Sequence, residues 1–460
     1  MNRSASRSTH RARNRAAVGA ALVSVALLAA SCSSDSKSAT TTPVPAVTTP
    51  ADTTPGDTTP ADTTPGDTTP ADTTPAVADP SSAFPDLAPP TGETIVIGLV
   101  NTEGTPGLDF PDLRIDTQAT VDYLNEHGGL GGRPIELVNC TAKGSPETSQ
   151  VCAQELAGKK VDLVMLGLDL FPDYATYTAA NIPVIGVLPI LPGDYTANAL
   201  FLTGGNATTV GAMAAVAKDH FKAATVGIVS ADNPGANGTE AALTAALDLA
   251  GIAHKTVKGG DNETDAGYQG LMREAAKDNP DLLVSLYSDA GCIGTMRGRA
   301  ALGITIPVIT TSICSGAEVI AEVGDDANGW TFVGVGTQKD TPELKILQTI
   351  MGPVLGIAPE EVDATALGLG GLGIIGMMSF ATYANQMAAE GTEVTGASLY
   401  EFMKTTAGLI VWPSGAEISC GSAAKYPSIC SFTFPVGEYI DGKVITIEGG
   451  DAVSALDYLP

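Results

Sequence analysis

From residue 93 onward, short runs of β-branched and other apolar residues alternate with longer segments whose apolar positions recur at helical spacing. The short runs predict strands over Thr94–Val100, Ile135–Val138, Val161–Leu166, Pro183–Val187, Thr225–Val229, Leu282–Tyr287 and Pro307–Thr310. The longer segments predict helices over Leu113–Glu126, Glu147–Leu156, Val210–Phe221, Glu240–Leu249, Tyr268–Lys277 and Gly294–Leu302. This alternation predicts an α/β fold of βαβ units, with parallel sheets covered by helices on both faces. Ligands of such sheets bind beyond the carboxyl ends of the strands, so the residues that follow each strand are candidates for a site.

Residues 33 to about 92 show no such pattern. From Thr48 the pentad Thr-Thr-Pro-(Ala/Gly)-Asp occurs five times, and a sixth copy breaks at Val77. Proline at every fifth position blocks both helix and sheet, and almost no apolar side chain is available for burial. We therefore expect residues 32–92 to form a disordered stalk that holds the folded part away from a membrane.

The first 31 residues are typical of an export signal. Five arginines precede an uncharged stretch from Ala16 to Ala30, which is shorter than the roughly 20 residues that a membrane span needs. The following Leu28-Ala29-Ala30-Ser31-Cys32 resembles the bacterial lipobox, in which the cysteine is lipidated and becomes the first mature residue. This resemblance implies an extracytoplasmic protein that is anchored to the cell membrane through Cys32. Ordinary cleavage beside an incidental cysteine is the alternative.

Six further cysteines agree with export, because disulfides persist outside the cytoplasm. Proximity in the sequence favours three local pairs among the fifteen possible pairings: Cys140 with Cys152, Cys292 with Cys314, and Cys420 with Cys430. No Cys-x-x-Cys occurs, and the three histidines beyond the signal are widely separated, so we expect neither a metal site nor a cofactor.

The charge of the chain excludes one class of partner. Five of its 24 Lys and Arg precede the first acidic residue, Asp35, which leaves 19 against 51 Asp and Glu in the remainder. A surface this acidic repels phosphate backbones and anionic headgroups. Nucleic-acid binding is therefore excluded, and contact with a membrane is expected through the lipid anchor alone.

One run carries a family resemblance. Residues 123–137 read YLNEHGGLGGRPIEL. This run resembles the N-x-x-G-G-(I/V)-x-G-(R/K)-P-I-E-L turn of type I periplasmic binding proteins, more narrowly of the leucine/isoleucine/valine-binding group that serves ABC importers. The glycines end the first helix, and Arg-Pro starts the second strand. Further matches follow in the order of the family: Lys160–Val164, Asn181–Ile185, Asn279–Leu283 and Leu302–Val308.

The resemblance implies two Rossmann-like lobes with parallel sheets, joined by three crossovers and closing on a small molecule. Lobe one would comprise residues 93–203 and 333–418. Lobe two would comprise residues 204–332 and 419–460, with C-terminal strands near 430–448. The implied function is that of a monomeric solute-binding lipoprotein that delivers a small organic ligand to an ABC permease and its ATPase, without chemistry.

The candidate ligand contacts are the side chains that follow the predicted strands. They are Thr102, Glu103, Asp169, Phe171, Val187 and Leu188 in lobe one, and Asp232, Tyr287, Asp289 and Ser312 in lobe two.

The expected ligand class depends on Asp169. Matching to the family places Asp169 where amino-acid-binding relatives hold the carboxylate of their ligand with hydroxyl and backbone N–H groups. A carboxylate of the protein would disfavour a second one in a desolvated cleft. We therefore expect common amino acids to bind weakly, and an amide, an aromatic compound or a cation to suit Phe171, Tyr174 and Tyr287 better.

Three local patterns suggest other functions. Gly368-x-Gly370-x-x-Gly373 has the spelling of a dinucleotide fingerprint, but no predicted strand precedes it, so close helix packing is the preferred interpretation. The uncharged residues 364–389 could span a bilayer, yet their glycines and polar side chains favour a buried helix. Asp261-x-Glu263-x-Asp265 lacks the later glycine and glutamate of an EF-hand, which favours a turn with Asp265 as a helix cap.

Three rival functions remain open on the sequence. They are a ligand sensor of the same fold that signals to a membrane partner, an enzyme on the same scaffold, and a structural lipoprotein with a degenerate cleft. No Gly-x-Ser-x-Gly occurs, and the order of residues supports no catalytic triad.

Overall fold

The computed structural model describes residues 87–105, 109–364, 367 and 369–460. The expected export signal, the lipidation site Cys32 and the threonine–proline repeats lie outside the described residues.

Strands alternate with helices along the described part of the chain. The strands are β1 Ile95–Thr102, β2 Ile135–Ala142, β3 Leu163–Leu166, β4 Val184–Gly186, β5 Leu200–Phe201, β6 Thr225–Ala231, β7 Ala253–Gly259, β8 Leu282–Leu286, β9 Val308–Thr311, β10 Trp330–Val333, β11 Leu409–Val411, β12 Ala416–Ile418, β13 Thr433–Phe434, β14 Val436–Ile440, β15 Lys443–Thr446 and β16 Val453–Ser454. The helices are α1 Pro111–Glu126, α2 Pro146–Lys159, α3 Tyr174–Ala179, α4 Gly205–Ala215, α5 Pro234–Leu249, α6 Asp265–Ala275, α7 Asp289–Ala301, α8 Ala317–Val323, α9 Pro342–Leu355, α10 Gly370–Ala389 and α11 Gly396–Thr405.

Two sheets form the centres of two lobes. The first has the order β2-β1-β3-β4-β5, with all neighbours parallel. The second has the order β15-β14-β10-β9-β8-β6-β7, parallel from β10 to β7 and antiparallel where β14 and β15 extend its edge. The α/β fold with two parallel-sheet lobes, predicted from the alternating pattern and the family resemblance, is confirmed.

The chain passes between the lobes three times: after β5, after β10 and before β14. The stretch before β14 extends the first sheet, since the Cys430 amide donates to the Phe201 carbonyl at 2.9 Å and the Phe201 amide to the Ser428 carbonyl at 2.8 Å. These contacts favour a later boundary than residue 419 for the return to lobe two. The lobe boundaries themselves stay a prediction.

The turn between α1 and β2 shows what the family motif does. Four of its glycines (Gly128, Gly129, Gly131 and Gly132) have positive φ, between 59° and 94°, a region that side chains with a Cβ seldom adopt. Asn125 closes the turn with both ends of its amide, donating to the Ile135 carbonyl at 2.9 Å and accepting from the Ile135 amide at 2.8 Å. The turn therefore fixes where β2 enters the sheet.

Two aspartates fix the start of the neighbouring central strands, one in each lobe. Asp162, just before β3, accepts from the Val96 amide at 2.8 Å. Asp281, just before β8, accepts from the Ala224 and Thr225 amides at 2.9 Å each. The backbone hydrogen bond from Ala224, and then the bonds from Thr225, lower the pKa of Asp281. Both residues lie in the runs that resemble motifs of the family, and their carboxylates satisfy strand-end amides that lack ladder partners.

Helix α10 is buried in the core of lobe one, against α1 and the first sheet. A Cβ at position 373 would lie 2.3 Å from Thr117 Oγ1, and one at position 376 would lie 2.6 Å from a carbon of Met165. The glycines therefore allow close helix packing, as expected for the fingerprint-like run. In the described part of the chain, we find no helix long and apolar enough to cross a membrane.

The three predicted disulfides are confirmed. Cys140–Cys152 joins β2 to α2, and Cys292–Cys314 joins α7 to the turn after β9. Cys420–Cys430 closes a ten-residue separation after β12.

A buried carboxyl between α1 and α10 makes stability depend on pH. The Asp116 side chain is only 4% exposed, and a Cβ on Gly370 would lie 2.1 Å from its Oδ2. Burial, and then the charge of Asp112, raises the pKa of Asp116 from 3.8 to about 7. The folded state therefore holds this proton more tightly than the unfolded state, so the free energy of unfolding falls as pH rises between these two values.

We expect Asp116→Asn to remove that fall. The variant should gain stability relative to wild type between pH 5 and pH 8, on the order of 2–4 kcal/mol. Urea denaturation at both pH values measures the gain. Asp122→Asn, at an exposed position of the same helix, is the control and should show no comparable gain. Equal pH dependence in Asp116→Asn and wild type would contradict the assignment.

Candidate ligand-binding site

Asn101, at the end of β1, ties together two loops at the carboxyl edge of the first sheet. Its buried side chain accepts from the Leu168 amide at 3.1 Å and donates to the Phe110 carbonyl at 2.7 Å. The loops after β1 and after β3 are therefore held against each other by one amide. Thr102, the next residue, is fully buried, and its hydroxyl finds no hydrogen-bond partner among the described residues.

Glu103 is bound by the protein itself. Its carboxylate, 11% exposed, accepts from Arg114 Nε at 3.0 and 3.2 Å and from Asn101 Nδ2 at 3.2 Å. Lys143 Nζ donates to the main-chain carbonyl of Glu103 at 2.9 Å. The predicted contact between Glu103 and a ligand therefore has little support, since its acceptor oxygens are already occupied.

Asp169 does not face solvent, so its burial does not support the expectation that it presents its charge to a ligand, and that contact stays a prediction. It is 2% exposed, and its Oδ1 accepts from Ser149 Oγ at 2.5 Å and from the Phe171 amide at 3.1 Å. Oδ2 has no hydrogen-bond partner among the described residues. Burial is the largest cause that raises the pKa of Asp169, and the nearby charge of Asp194 adds to it. The sequence predicts that Asp169 follows the end of a strand, whereas the contact with Ser149 of α2 decides where its side chain points.

Two large apolar side chains reach solvent on the loops after β3 and β4. Phe171 is 40% exposed on the loop after β3, and Leu191 is 38% exposed on the loop after β4. Val187 is buried in the core of lobe one, and Leu188 is half-buried. Leu191 was missed because the predicted set stopped at Leu188; the Leu-Pro-Gly-Asp turn that follows was the available signal.

Asp194 organises the loop that carries Leu191. Its Oδ2 accepts from the Ile190 and Leu191 amides at 2.7 and 2.8 Å. Its Oδ1 accepts from the Tyr174 hydroxyl at 2.7 Å, and burial followed by the charge of Asp194 raises the pKa of that phenol. Asp194 is 3% exposed, so it supports the loop from beneath.

In lobe two, too, some of the predicted residues are exposed and one is buried. Asp232 and Ser312 are exposed at the ends of β6 and β9, and Asp289 begins α7. The Tyr287 ring is 4% exposed and packs edge-on against Tyr268 in the core. Its hydroxyl donates to the Gly260 carbonyl at 3.3 Å, so the ring is not available as a stacking surface.

Ile313 is 58% exposed after β9 and is an apolar residue outside the set predicted from the sequence. Its neighbour Cys314 is fully buried and joined to Cys292, which fixes the loop below Ser312 and Ile313. The disulfide therefore supports a loop at the carboxyl edge of the second sheet.

Other features of the described chain lie away from these loops. A surface cavity of about 440 Å³ lies between α6 and α7, and one of about 570 Å³ lies at the amino edge of the first sheet. Neither is lined by a candidate residue. Within the described residues, no cluster of three or more His, Cys, Asp and Glu is arranged to hold a metal ion.

We expect Glu103→Gln to lower the free energy of unfolding by about 1–2 kcal/mol, because a nearly buried carboxylate loses its charge-assisted bonds to Arg114. Solute affinity should change less than about twofold, since the Glu103 oxygens are taken up by the protein. Chemical denaturation and calorimetry measure the two effects. Glu322→Gln breaks an Arg–Glu pair of the same 3.0 Å length whose partners are 44% and 64% exposed, and should cost about 0.5 kcal/mol or less. A large loss of affinity in Glu103→Gln without a loss of stability would identify Glu103 as a ligand contact instead.

Comparison with known proteins agrees with the two-lobed fold. The model of the periplasmic binding protein family matches residues 94–415. No curated protein is significantly similar to the chain. Among solved structures, an ABC transporter substrate-binding protein from Sphaerobacter thermophilus has a TM-score of 0.62 at 19% identity, covering 80% of this chain and 99% of its own.

Two further solved structures carry ligand names. A leucine-binding protein from Thermotoga maritima has a TM-score of 0.56 at 15% identity, covering 79% of this chain and 99% of its own. A solute-binding protein of an ABC transporter from Rhodopseudomonas palustris, in complex with p-hydroxybenzoic acid, has a TM-score of 0.57 at 16% identity, covering 79% and 98%. At these identities the likeness shows the fold.

The family model spans the whole first sheet, strands β6 to β10 of the second, the passages after β5 and after β10, and the glycine turn at Asn125. The resemblance derived from the sequence motifs is thereby confirmed. The chain belongs to the periplasmic binding protein family, in its type I form, and is a binding protein rather than an enzyme.

Proposed function

We propose that this protein is a lipid-anchored solute-binding protein that captures a small organic molecule between its lobes and delivers it to an ABC importer. Membership of the family supports an extracytoplasmic solute-binding role. Capture works by selective stabilisation of the closed state, since a ligand that contacts both lobes shifts the equilibrium towards closure. A permease and its ATPase would be the partners of the loaded form.

The observation that carries the proposal is the exposure of Phe171 and Leu191 at the carboxyl edge of the first sheet. Large apolar side chains are usually buried, and this edge is where ligands of parallel sheets bind. Lobe two adds the exposed Ile313 beside Ser312 at its own carboxyl edge. These groups suit a solute with an apolar or aromatic face and a few polar groups.

The burial of Asp169 changes the expected ligand class. A ligand carboxylate is disfavoured only where Asp169 points towards it; instead Asp169 is 2% exposed, and its Oδ1 accepts from the Ser149 hydroxyl and the Phe171 amide. Apolar amino acids and aromatic acids therefore return as candidates beside amides. The relatives named for leucine and p-hydroxybenzoic acid fall in these two classes.

The anchor and the stalk complete the proposal. Lipidation of Cys32 would hold the protein at the membrane, and the Thr-Pro repeats would give the lobes reach towards a permease. The three disulfides suit an oxidising extracytoplasmic environment, because disulfides persist there.

We expect the mature protein to show a raised melting temperature with at least one member of a metabolite library that includes apolar amino acids, aromatic acids and their amides. A ligand at a hundredfold excess over its Kd stabilises the native state by about 2.7 kcal/mol. Phe171→Ala should then weaken the binding of the best ligand about tenfold in calorimetry, because an aromatic contact is lost. Leu249→Ala, at a 59% exposed position on α5, is the control and should leave affinity unchanged. A library without any stabilising solute would contradict the proposal.

Membrane attachment is tested separately. Cys32→Ala should release the protein from the membrane fraction or leave its precursor unprocessed, because the acceptor of the lipid is removed. Fractionation and mass spectrometry of the mature N-terminus measure both outcomes. Normal processing together with unchanged membrane retention would refute the lipid anchor and leave solute binding standing.

A further inference from the structure

We infer that Asp169 and Asp194 are positioning residues that hold Phe171 and Leu191 as an apolar platform, and that this platform selects solutes with an aromatic or branched aliphatic face. The inference rests on the proposed solute-binding function and names the part of lobe one that sets its specificity.

Asp169 holds the backbone that presents Phe171. Its Oδ1 accepts from the amide of Phe171 two residues later, which closes a short side-chain turn. The same oxygen accepts from Ser149 in the first turn of α2. Because Ser149 lies three residues before Cys152, the Cys140–Cys152 disulfide fixes the helix that holds Asp169. Asp169 is 2% exposed, whereas Phe171 is 40% exposed. The buried acid therefore holds the backbone of the loop, and the phenyl ring reaches solvent.

Asp194 repeats the arrangement on the next loop. Its Oδ2 accepts from the Leu191 amide at 2.8 Å, and its own amide donates back to the Leu191 carbonyl at 2.9 Å. The Tyr174 hydroxyl, from the first residue of α3, donates to the other oxygen and links this loop to the one that carries Phe171. Asp194 is 3% exposed, whereas Leu191 is 38% exposed.

Burying two carboxyls is unfavourable, because desolvation disfavours their charged forms. The raised pKa of Asp169 reflects this cost, with burial as its first cause. Both acids accept backbone amides of the loops that hold the exposed apolar residues. A rigid apolar surface binds with less loss of conformational freedom than a mobile one, which is a reason to hold it in place.

The platform itself carries no charge. Its two exposed members are a phenylalanine and a leucine, and both acids beneath it have their bonded oxygens turned towards the protein. A solute that rests on it would do so through an aromatic ring or a branched aliphatic chain, and any polar group would be recognised elsewhere.

The first test needs no ligand. A single 4-trifluoromethylphenylalanine at position 171 of the full chain reports the mobility of the ring through its ¹⁹F linewidth. Asp169→Ala should narrow the resonance and move it towards the solvent-exposed position, whereas Asp169→Asn should retain it, since the asparagine oxygen still accepts the amide at 171. Leu243→Ala removes a fully buried side chain from the core of lobe two and is the control for general destabilisation. An unchanged ¹⁹F signal in Asp169→Ala, with lowered stability alone, would overturn the inference.

The second test is a double-mutant cycle with p-hydroxybenzoate and L-leucine as probes. Asp169→Ala should lower the affinity for whichever probe binds by about tenfold in the wild-type background. In the Phe171→Ala background it should lower that affinity less than twofold, because Asp169 acts through Phe171. Asp169→Asn should rescue most of the affinity. Additive losses would overturn the positioning role.

Failure of the inference and failure of the proposed function are distinguishable. If a strongly polar solute from the metabolite library binds while both probes do not, the solute-binding function stands and the apolar platform is refuted. If Phe171→Ala leaves affinity for every bound solute unchanged but abolishes transport, the exposed pair contacts the permease, which also overturns the inference.

Discussion

Each strand of a parallel sheet begins and ends in a turn whose backbone N–H groups lose their ladder partners, and each such group needs an acceptor. In this protein side-chain oxygens accept them at both edges of the sheets. Asn125, Asp162 and Asp281 do so at the amino edges, where strands enter. Asp169 and Asp194 do so at the carboxyl edge of lobe one, where ligands of such sheets bind. The order and register of the strands, and therefore the placement of the candidate site, depend on these bonds.

The same constraint explains part of the acidic composition. The excess of acidic residues argues against nucleic-acid partners, yet several of the acids are bound to the backbone rather than displayed. The charged form is favoured at Asp281, whose pKa is lowered by amide hydrogen bonds at the surface. It is disfavoured at Asp169 and Asp116, whose pKa values are raised by burial. The pKa of aspartate is thus shifted in opposite directions within one protein. Water reaches Asp281, whereas it is largely excluded from Asp169 and Asp116.

Disulfides support the site from behind in both lobes. Cys140–Cys152 fixes the helix that carries Ser149, and Cys292–Cys314 fixes the loop that carries Ile313. Both close short separations of 12 and 22 residues, so they constrain local geometry more than global chain entropy. Rigid loops at the cleft are compatible with the proposed closure of the lobes, because that closure would be a motion at the three crossovers.

The sequence by itself determined the alternation of strands and helices, the glycine turn at Asn125 and the pairing of the six cysteines, because each depends on residues close together in the chain. It missed β7, whose residues Ala253–Gly259 alternate polar and half-buried positions at the edge of the second sheet and carry little apolar signal. It located the loops of the candidate site through the strand ends. The tertiary structure alone decided which side chains on those loops reach solvent. Asp169 turns inward to accept from Ser149 on α2, and Tyr287 turns inward to pack against Tyr268 on α6. Phe171, two residues after Asp169, stays 40% exposed. The end of a strand can be predicted from the local sequence, whereas the direction of a side chain depends on what packs against it.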